Sequence, residues 1–250
     1  MKILVTGVAG FIGFHLAKKL LESQSDLVGI DNINDYYDQD LKLSRLALLK
    51  KEGLNFFKLD ITNKDLIEKF FINEKFDIIF HLAAQAGVRH SIDNPNAYIE
   101  ANIKGFLNIL EGARQNNVKH LIYASSSSVY GLSNKPFFSE DDITDKQISF
   151  YAASKKSNEV MAYSYSHLYK IPCTGLRFFT VYGPWGRPDM AYFKFVQQIL
   201  NDEEIDVYGQ GKMSRDFTYI DDVVFALVNL MTVIPKIDLN IDKNVPHEIL

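Results

Sequence analysis

Cysteine is almost missing: Cys173 is the only one in 250 residues. One thiol cannot build an intrachain disulfide framework, and the sequence reads as that of a protein of the reducing cytoplasm. Long hydrophobic runs are lacking too. No apolar stretch reaches the roughly 20 residues that cross a bilayer, and Met1-Lys2 leads straight into a strand-like segment rather than a signal peptide, so no membrane partner is expected. Positive charge is sparse and scattered. The formal net charge is −4 and no Lys/Arg block exceeds three residues, which argues against nucleic acid as a partner. The six histidines lie far apart without metal-ligand spacing, so no metal site is expected. His81 and His120 sit in or beside apolar segments and read as core residues. Repeats and low-complexity tracts are absent as well. What the chain does have is apolar material, 47% of its residues, enough for one large domain or one domain and a cap.

The first fifth of the chain carries a strand, a glycine turn and a helix. Lys2 to Thr6 is a short apolar run, Gly7, Gly10 and Gly13 follow, and Phe11, Phe14, Leu16, Leu20 and Leu21 recur at helical spacing. Gly7 permits a tight turn, Gly10 lets the backbone approach a pyrophosphate, and Gly13 lets the helix pack closely on the strand with its N-terminus facing the anion. A second strand, 27–31, ends in Asp31, about twenty residues after the glycines, as in dinucleotide-binding folds. A carboxylate there accepts hydrogen bonds from a ribose 2′-hydroxyl and repels a 2′-phosphate, which points to NAD over NADP; a plain strand-end turn residue is the other reading. Further strands are expected at 54–59, ending in Asp60-Ile61 near an adenine, and at 77–82, opening into Ala83-Ala84-Gln85-Ala86-Gly87. Small residues there let a backbone pass close to a cofactor or simply allow tight packing. Arg89 is a candidate phosphate or carboxylate contact.

Helices are expected at 41–51, 63–73 and 95–116, and a strand at 118–124 delivers Ser125 to Ser128 at its carboxyl end. Strands and helices alternating at this length mean a Rossmann-like, doubly wound α/β fold with a parallel sheet covered on both faces. In such sheets ligands bind beyond the carboxyl ends of the strands. The glycine turn, Asp31, Asp60, Ala83 and Ser126 all share that address. The last third brings a strand at 174–180, a loop from Val181 to Met190 rich in Gly, Pro and aromatics, a helix at 192–200, a short strand at 206–208 and a helix at 220–231. The boundary falls near 172–185. Residues 1–172 then form an NAD-binding Rossmann domain, and 173–250 a smaller substrate-binding portion interleaved with it.

The chemistry is expected at Tyr151-Ala-Ala-Ser-Lys155. Tyr and Lys four apart on a helix project from one face. A phenol with a pKa of about 10 is a poor base at neutral pH, and an ammonium nearby favours the phenolate. Bringing that pKa near 7 is a shift of roughly 3 units, about 4 kcal/mol. A serine hydroxyl can then share a proton with the phenolate and with a substrate alcohol, which is equipment for oxidising a carbinol beside a hydride acceptor.

Taken together, Gly7/Gly10/Gly13, Ser126 with Tyr151 and Lys155, and Arg215-Asp-Phe-Thr-Tyr-Ile-Asp-Asp222 resemble the extended short-chain dehydrogenase/reductases that act on nucleotide sugars. Gln85 to Arg89, Ser125 to Gly131 and Phe178 to Met190 are most similar to the UDP-glucuronate 4-epimerases among them. The resemblance runs from Met1 to about residue 231. It implies NAD held by Gly7, Gly10, Phe11, Ile12, Gly13, Asp31, Asn32, Asp60, Ile61, Leu82, Ala83, Ala84, Asn102, Tyr151 and Lys155. It implies catalysis by Ser126, Tyr151 and Lys155, and a UDP-sugar bound by Gln85, Arg89, Ser127, Ser128, Thr180, Arg187 and Arg215. Arg187 and Thr180 would face the sugar carboxylate, and Arg215 the diphosphate. It further implies a homodimer paired through the helices near 97–116 and 150–169.

Two other outcomes of the same cofactor chemistry, dehydration and decarboxylation, stay open. Related dehydratases and decarboxylases usually carry Asp or Glu just after the position of Ser126, whereas Ser127 and Ser128 stand here. Elimination needs an acid and a base at that edge of the sugar, and serines are poor ones. A 4-keto glucuronate is a β-keto acid prone to lose CO₂, and a bidentate Arg187 could fix the carboxylate plane against it. The family that the chain resembles continues well past residue 250 with further substrate-side segments, so a non-catalytic NAD-binding fragment also stays open.

Overall fold

The short apolar runs of the sequence become parallel strands. In this computed structural model, which describes residues 1–133, 135, 137–212, 214–238 and 244–250, the strands are β1 (Lys2–Thr6), β2 (Asp26–Asp31), β3 (Asn55–Lys58), β4 (Ile78–His81), β5 (His120–Ala124), β6 (Cys173–Leu176), β7 (Thr180–Tyr182), β8 (Phe217–Tyr219) and β9 (His247–Ile249). The helices are α1 (Phe11–Glu22), α2 (Gln39–Lys51), α3 (Lys64–Asn73), α4 (His90–Asp93), α5 (Pro95–Tyr98), α6 (Phe106–Asn116), α7 (Phe150–Tyr169), α8 (Ala191–Leu200) and α9 (Ile220–Leu230). Seven strands form one parallel sheet in the order β3-β2-β1-β4-β5-β6-β9. The chain winds outward from β1 to β3, returns across β1, and winds outward again from β4. The crevice of the fold therefore opens between the carboxyl ends of β1 and β4.

Strands buried on both faces must be apolar at every position, and their alternate residues feed two cores. Leu4, Val28, Ile79, Leu121 and Cys173 lie side by side in register. They point with Phe70, Phe71, Phe106, Ile109 and Leu110 into the layer under α3 and α6. Val5, Phe80 and Ile122, one position along, face the opposite layer, built by Phe14, Leu16 and Leu20 of α1 and Val223, Val224 and Leu227 of α9. Each such side chain contributes roughly 1.5–3 kcal/mol on burial. Among the described residues, no helix is long and apolar enough to cross a membrane.

The structure departs from the sequence reading in four places. The strand expected at 174–180 is two: the chain leaves the large sheet at Leu176, and Thr180–Tyr182 pairs with Phe217–Tyr219 in a second, two-stranded parallel sheet. Between them Arg177 turns inward onto Glu159. The helix expected over 95–116 is interrupted by a widened, π-helical turn, Ile99–Gly105. There the carbonyl of Asn102 takes a hydrogen bond from Asn158 of α7 rather than serving only its own helix. No strand forms at 206–208; a short turn of 3-10 helix begins at Tyr208 instead. Finally, β9 was not foreseen, and it extends the sheet beside β6.

Candidate active site

The carboxyl ends of β1, β2, β4 and β5 open into one cleft of about 1080 Å³. That is above the usual range for a single small ligand, as expected of a groove shared by a dinucleotide and a second molecule. Its floor is the glycine turn. Gly7 has φ +70°, and a Cβ there would stand 2.7 Å from the Ala83 nitrogen. Gly10 caps α1 from an extended backbone without any side-chain cap, which leaves the amides of the first turn directed at the cleft. A Cβ on Gly13 would stand 2.2 Å from the Gly7 carbonyl oxygen, so only glycine lets α1 sit this close.

Asp31 closes one side. Its carboxylate accepts from the Ala9 amide at 3.1 Å and the Ile33 amide at 2.8 Å, while burial pushes its pKa up against those bonds. Asp60 accepts from Asn32 Nδ2 at 2.9 Å and the Thr62 amide at 2.8 Å; these bonds outweigh burial and hold it below the usual carboxylate range. The turn, the α1 terminus, the two carboxylates and the small residues Ala83 and Ala84 fit a dinucleotide: amides for a pyrophosphate, acceptors for ribose and adenine edges, no side chain in the way.

Beside the glycine turn sits a buried polar chain. The Ala83 amide donates to Thr6 Oγ1 (3.1 Å), whose hydroxyl bonds His81 Nδ1 (2.9 Å). Burial, then the nearby Lys155 charge, brings the His81 pKa down to about 3, so it is neutral. His120 bonds Thr174 Oγ1 at 2.8 Å and is likewise lowered, to about 4. Both histidines are core residues, as their sequence setting indicates.

The serine run hangs on the β6 side of the cleft. The Ser125 amide donates to Leu176 O at 2.8 Å and the Ser127 amide to Phe178 O at 2.9 Å, which extends the β5–β6 ladder past its strands. Ser126 accepts the Ser128 amide on Oγ (3.2 Å) and lies beside the Tyr151 phenol, near enough to draw its pKa down. Tyr151 stands in the first turn of α7, which is capped by Ser149 Oγ accepting from the Ala152 amide at 3.1 Å. One turn on, Lys155 is buried and donates to Ala124 O at 2.9 Å. Burial alone brings its pKa down to about 8. One turn further, Glu159 takes a bidentate fork from Arg177 (3.0 and 3.1 Å) and a bond from Ser125 Oγ (2.6 Å).

The electrostatics bring in a cation that the sequence expectation did not place beside Tyr151. Burial pushes the Tyr151 phenol above its ordinary range; the neighbouring Ser126 hydroxyl and the Arg187 charge pull it down. Arg187 thus joins Ser126 in drawing this phenol down in the protein alone. Arg187 is itself held by Asp189, which takes bonds from Nε (3.0 Å) and Nη2 and also accepts from Tyr36 OH at 3.4 Å.

Gly7, Gly10, Phe11, Ile12, Gly13, Asp31, Asn32, Asp60, Ile61, Leu82, Ala83, Ala84, Gln85, Arg89, Ser126, Ser127, Ser128, Tyr151, Lys155, Thr180, Arg187 and Arg215 all border this cleft. Asn102 does not. It is buried one layer back, exchanging hydrogen bonds with the Gln85 backbone (2.8 and 3.0 Å) and donating to Ser154 Oγ. Its role is to hold the loop after β4. Trp185 also stands outside the cleft, packed on Phe14. Sequence reasoning missed Tyr36 and Asp189, which hold Arg187, and Glu159, although Tyr151, Lys155 and Glu159 are successive turns of one helix face.

A family model described as NAD dependent epimerase/dehydratase matches residues 3–242. The chain belongs to that family. Its similarity within the epimerase/dehydratase family is close. It is 58% identical over 231 residues to Protein CapI of Staphylococcus aureus, covering 92% of this chain and 69% of CapI. It is 50% identical over 226 residues to UDP-glucuronate 4-epimerase 4 of Arabidopsis thaliana, covering 89% of this chain and 52% of the plant protein. Among solved structures, UDP-glucuronic acid 4-epimerase from Bacillus cereus, in complex with UDP-glucuronic acid and NAD, superposes over the whole chain and 76% of its own, with TM-score 0.89 and 36% identity.

Proposed function

We propose that the protein catalyses NAD-dependent C4 epimerisation of UDP-glucuronate to UDP-galacturonate through a 4-keto sugar. One observation carries this reading: Tyr151 and Ser126 line the same cleft as the glycine turn, with the Arg187 charge near enough to act on the phenol. Similarity to UDP-glucuronate 4-epimerases supports the sugar and the nucleotide.

NAD, when bound, supplies the hydride acceptor and a positively charged ring. Tyr151 takes the proton of the sugar C4 hydroxyl, and Ser126 bridges the two oxygens; its own Oγ is kept in place by the Ser128 amide. Lys155, on the next turn of the helix, presents its ammonium to the cofactor ribose. Arg187 and Thr180 receive the sugar carboxylate, Arg215 and Arg89 the phosphates, and Gln85, Ser127 and Ser128 line the sugar. Because Asp189 already holds the Nε–Nη2 edge of Arg187, the carboxylate meets the Nη1 end of the guanidinium. We assign residues 1–172 to an NAD-binding domain and 173–250 to a substrate-binding portion interleaved with it, in a cytoplasmic homodimer.

The test is incubation of the purified protein with UDP-glucuronate and no added NAD, with products identified by NMR. UDP-galacturonate is the expected product, and Tyr151→Phe should lower its rate by about 10²–10⁴-fold. A UDP-pentose or a dehydrated sugar as main product would replace epimerisation by decarboxylation or elimination. No product, with no UDP-sugar binding, would leave an NAD-binding fragment.

A further inference from the structure

Arg45 is the largest fully buried side chain described in the chain, and every group it donates to is neutral, although the Asp31 carboxylate lies within electrostatic reach. From α2, Nη1 donates to the Ala9 carbonyl at 2.9 Å and to Tyr37 OH at 2.7 Å. Nη2 donates to the carbonyls of Trp185 at 2.6 Å and Gly186 at 3.2 Å. Nε is buried and makes no hydrogen bond. A buried cation is ordinarily matched by an anion or neutralised. Here the guanidinium is matched by carbonyl dipoles drawn from two distant segments. One is the turn between Gly7 and Gly10. The other is the loop whose next residue is Arg187.

The same loop is fastened to the cofactor side by two further contacts. His15 of α1 bonds the Pro184 carbonyl at 2.8 Å, and Trp185 packs against Phe14 with ring centroids 5.6 Å apart. Trp185 has φ +58°, a left-handed conformation that a bulky side chain holds only where its surroundings over-determine it. The surroundings that hold it come from α1 and α2, the two helices that frame the glycine turn.

We propose that Arg45 is a positioning residue that fastens the Arg187 loop to the cofactor turn, so that NAD and the sugar nucleotide strengthen each other's binding. The inference rests on the reading that the glycine turn holds NAD. A pyrophosphate on the amides beside Ala9 stiffens the turn and adds negative charge near Arg45 to that of Asp31. The guanidinium then holds the 185 and 186 carbonyls more firmly, and Arg187 is already in place when the sugar carboxylate arrives. Ordering one site before the second ligand binds lowers the second ligand's cost, and the linkage is reciprocal.

The experiment uses the Tyr151→Phe background to silence turnover. The Kd of UDP-glucuronate is measured by calorimetry on cofactor-free protein and on protein saturated with NAD, with Trp185 emission followed during the NAD titration. Binding should be about tenfold tighter with NAD, within the usual range of such couplings, and NAD alone should shift the Trp185 emission. With Arg45→Met, still binding NAD, the two affinities should agree within about twofold. Arg45→Lys keeps the charge but cannot reach both segments at once, so its ratio should fall too, which covers the case in which Arg45→Met does not fold. NAD binding to the parent protein with a ratio of one and a silent Trp185, or a parent-like ratio in either variant, would overturn the proposal. Failure of the parent to bind NAD at all would overturn the cofactor reading and the proposal with it.

Discussion

Lys155 carries its charge where burial penalises it, and that has a measurable sign. Its pKa is about 8 in the folded protein and 10.5 for an ordinary lysine. Between those values the unfolded chain binds more protons than the folded one, so Lys155 makes the cofactor-free protein more stable as pH rises from about 8 to 10.5. The full effect is about 3 kcal/mol at 1.36 kcal/mol per unit. Buried phenols titrate above 10 in the opposite sense, so the comparison must be with Lys155→Met. Urea unfolding should show the parent gaining on the variant across that window, and a constant difference would remove the assignment. Arg187 is tested by product rather than by stability. If its guanidinium fixes the carboxylate plane of the 4-keto sugar, Arg187→Ala should raise the UDP-pentose fraction over UDP-galacturonate, read by NMR, and an unchanged fraction would sink that role. Tyr151, Lys155 and Ser126 were legible because i,i+4 spacing and a strand-end position are local properties. Tyr36 and Arg45 were not. Their partners lie 153 and 140 residues away, and only the folded chain says which neighbour each meets.

At the scale of elements, strand–turn–helix at the N-terminus depends on a missing methyl group. Gly13 lies inside α1, where replacing glycine by alanine normally stabilises by up to about 1 kcal/mol. Here the added Cβ would meet the Gly7 carbonyl at 2.2 Å and the Val8 Cα at 3.1 Å, all backbone. Gly13→Ala should therefore reverse the usual sign, destabilise by about 1–3 kcal/mol, and weaken NAD binding at least tenfold as α1 backs away from β1. Thermal unfolding and calorimetric NAD titration check both. The five inner strands could be read because parallel strands covered on both faces are uninterrupted apolar runs. β7, β8 and β9 are three residues each, too short to show a period. The break in the 95–116 helix follows from Asn102 and Asn158, whose pairing across 56 residues no local pattern announces. The stripe of α2 that faces inward, Lys42, Arg45, Leu46 and Leu49, has helical spacing and contains two cations. Charged residues on an apolar stripe are the signal that would have exposed Arg45.

At the scale of the molecule, α6 and α7 leave Leu107, Val160, Tyr163 and Leu168 exposed, from 41% to 65%. A homodimer through these helices would cover them. Sedimentation should show a dimer for the parent and a monomer for Val160→Glu; a parent that sediments as a monomer would end that expectation. Asp31 has a different reach. Its carboxylate braces both the glycine turn, at Ala9, and the start of the loop after β2, at Ile33. Retooling this protein to accept a phosphorylated nicotinamide cofactor is therefore not a one-codon change. Exchanging that aspartate for a neutral or basic residue would unlatch the very backbone on which any dinucleotide must rest. Selectivity and scaffold are welded at a single carboxylate, and an engineer would have to supply a second brace before touching the first.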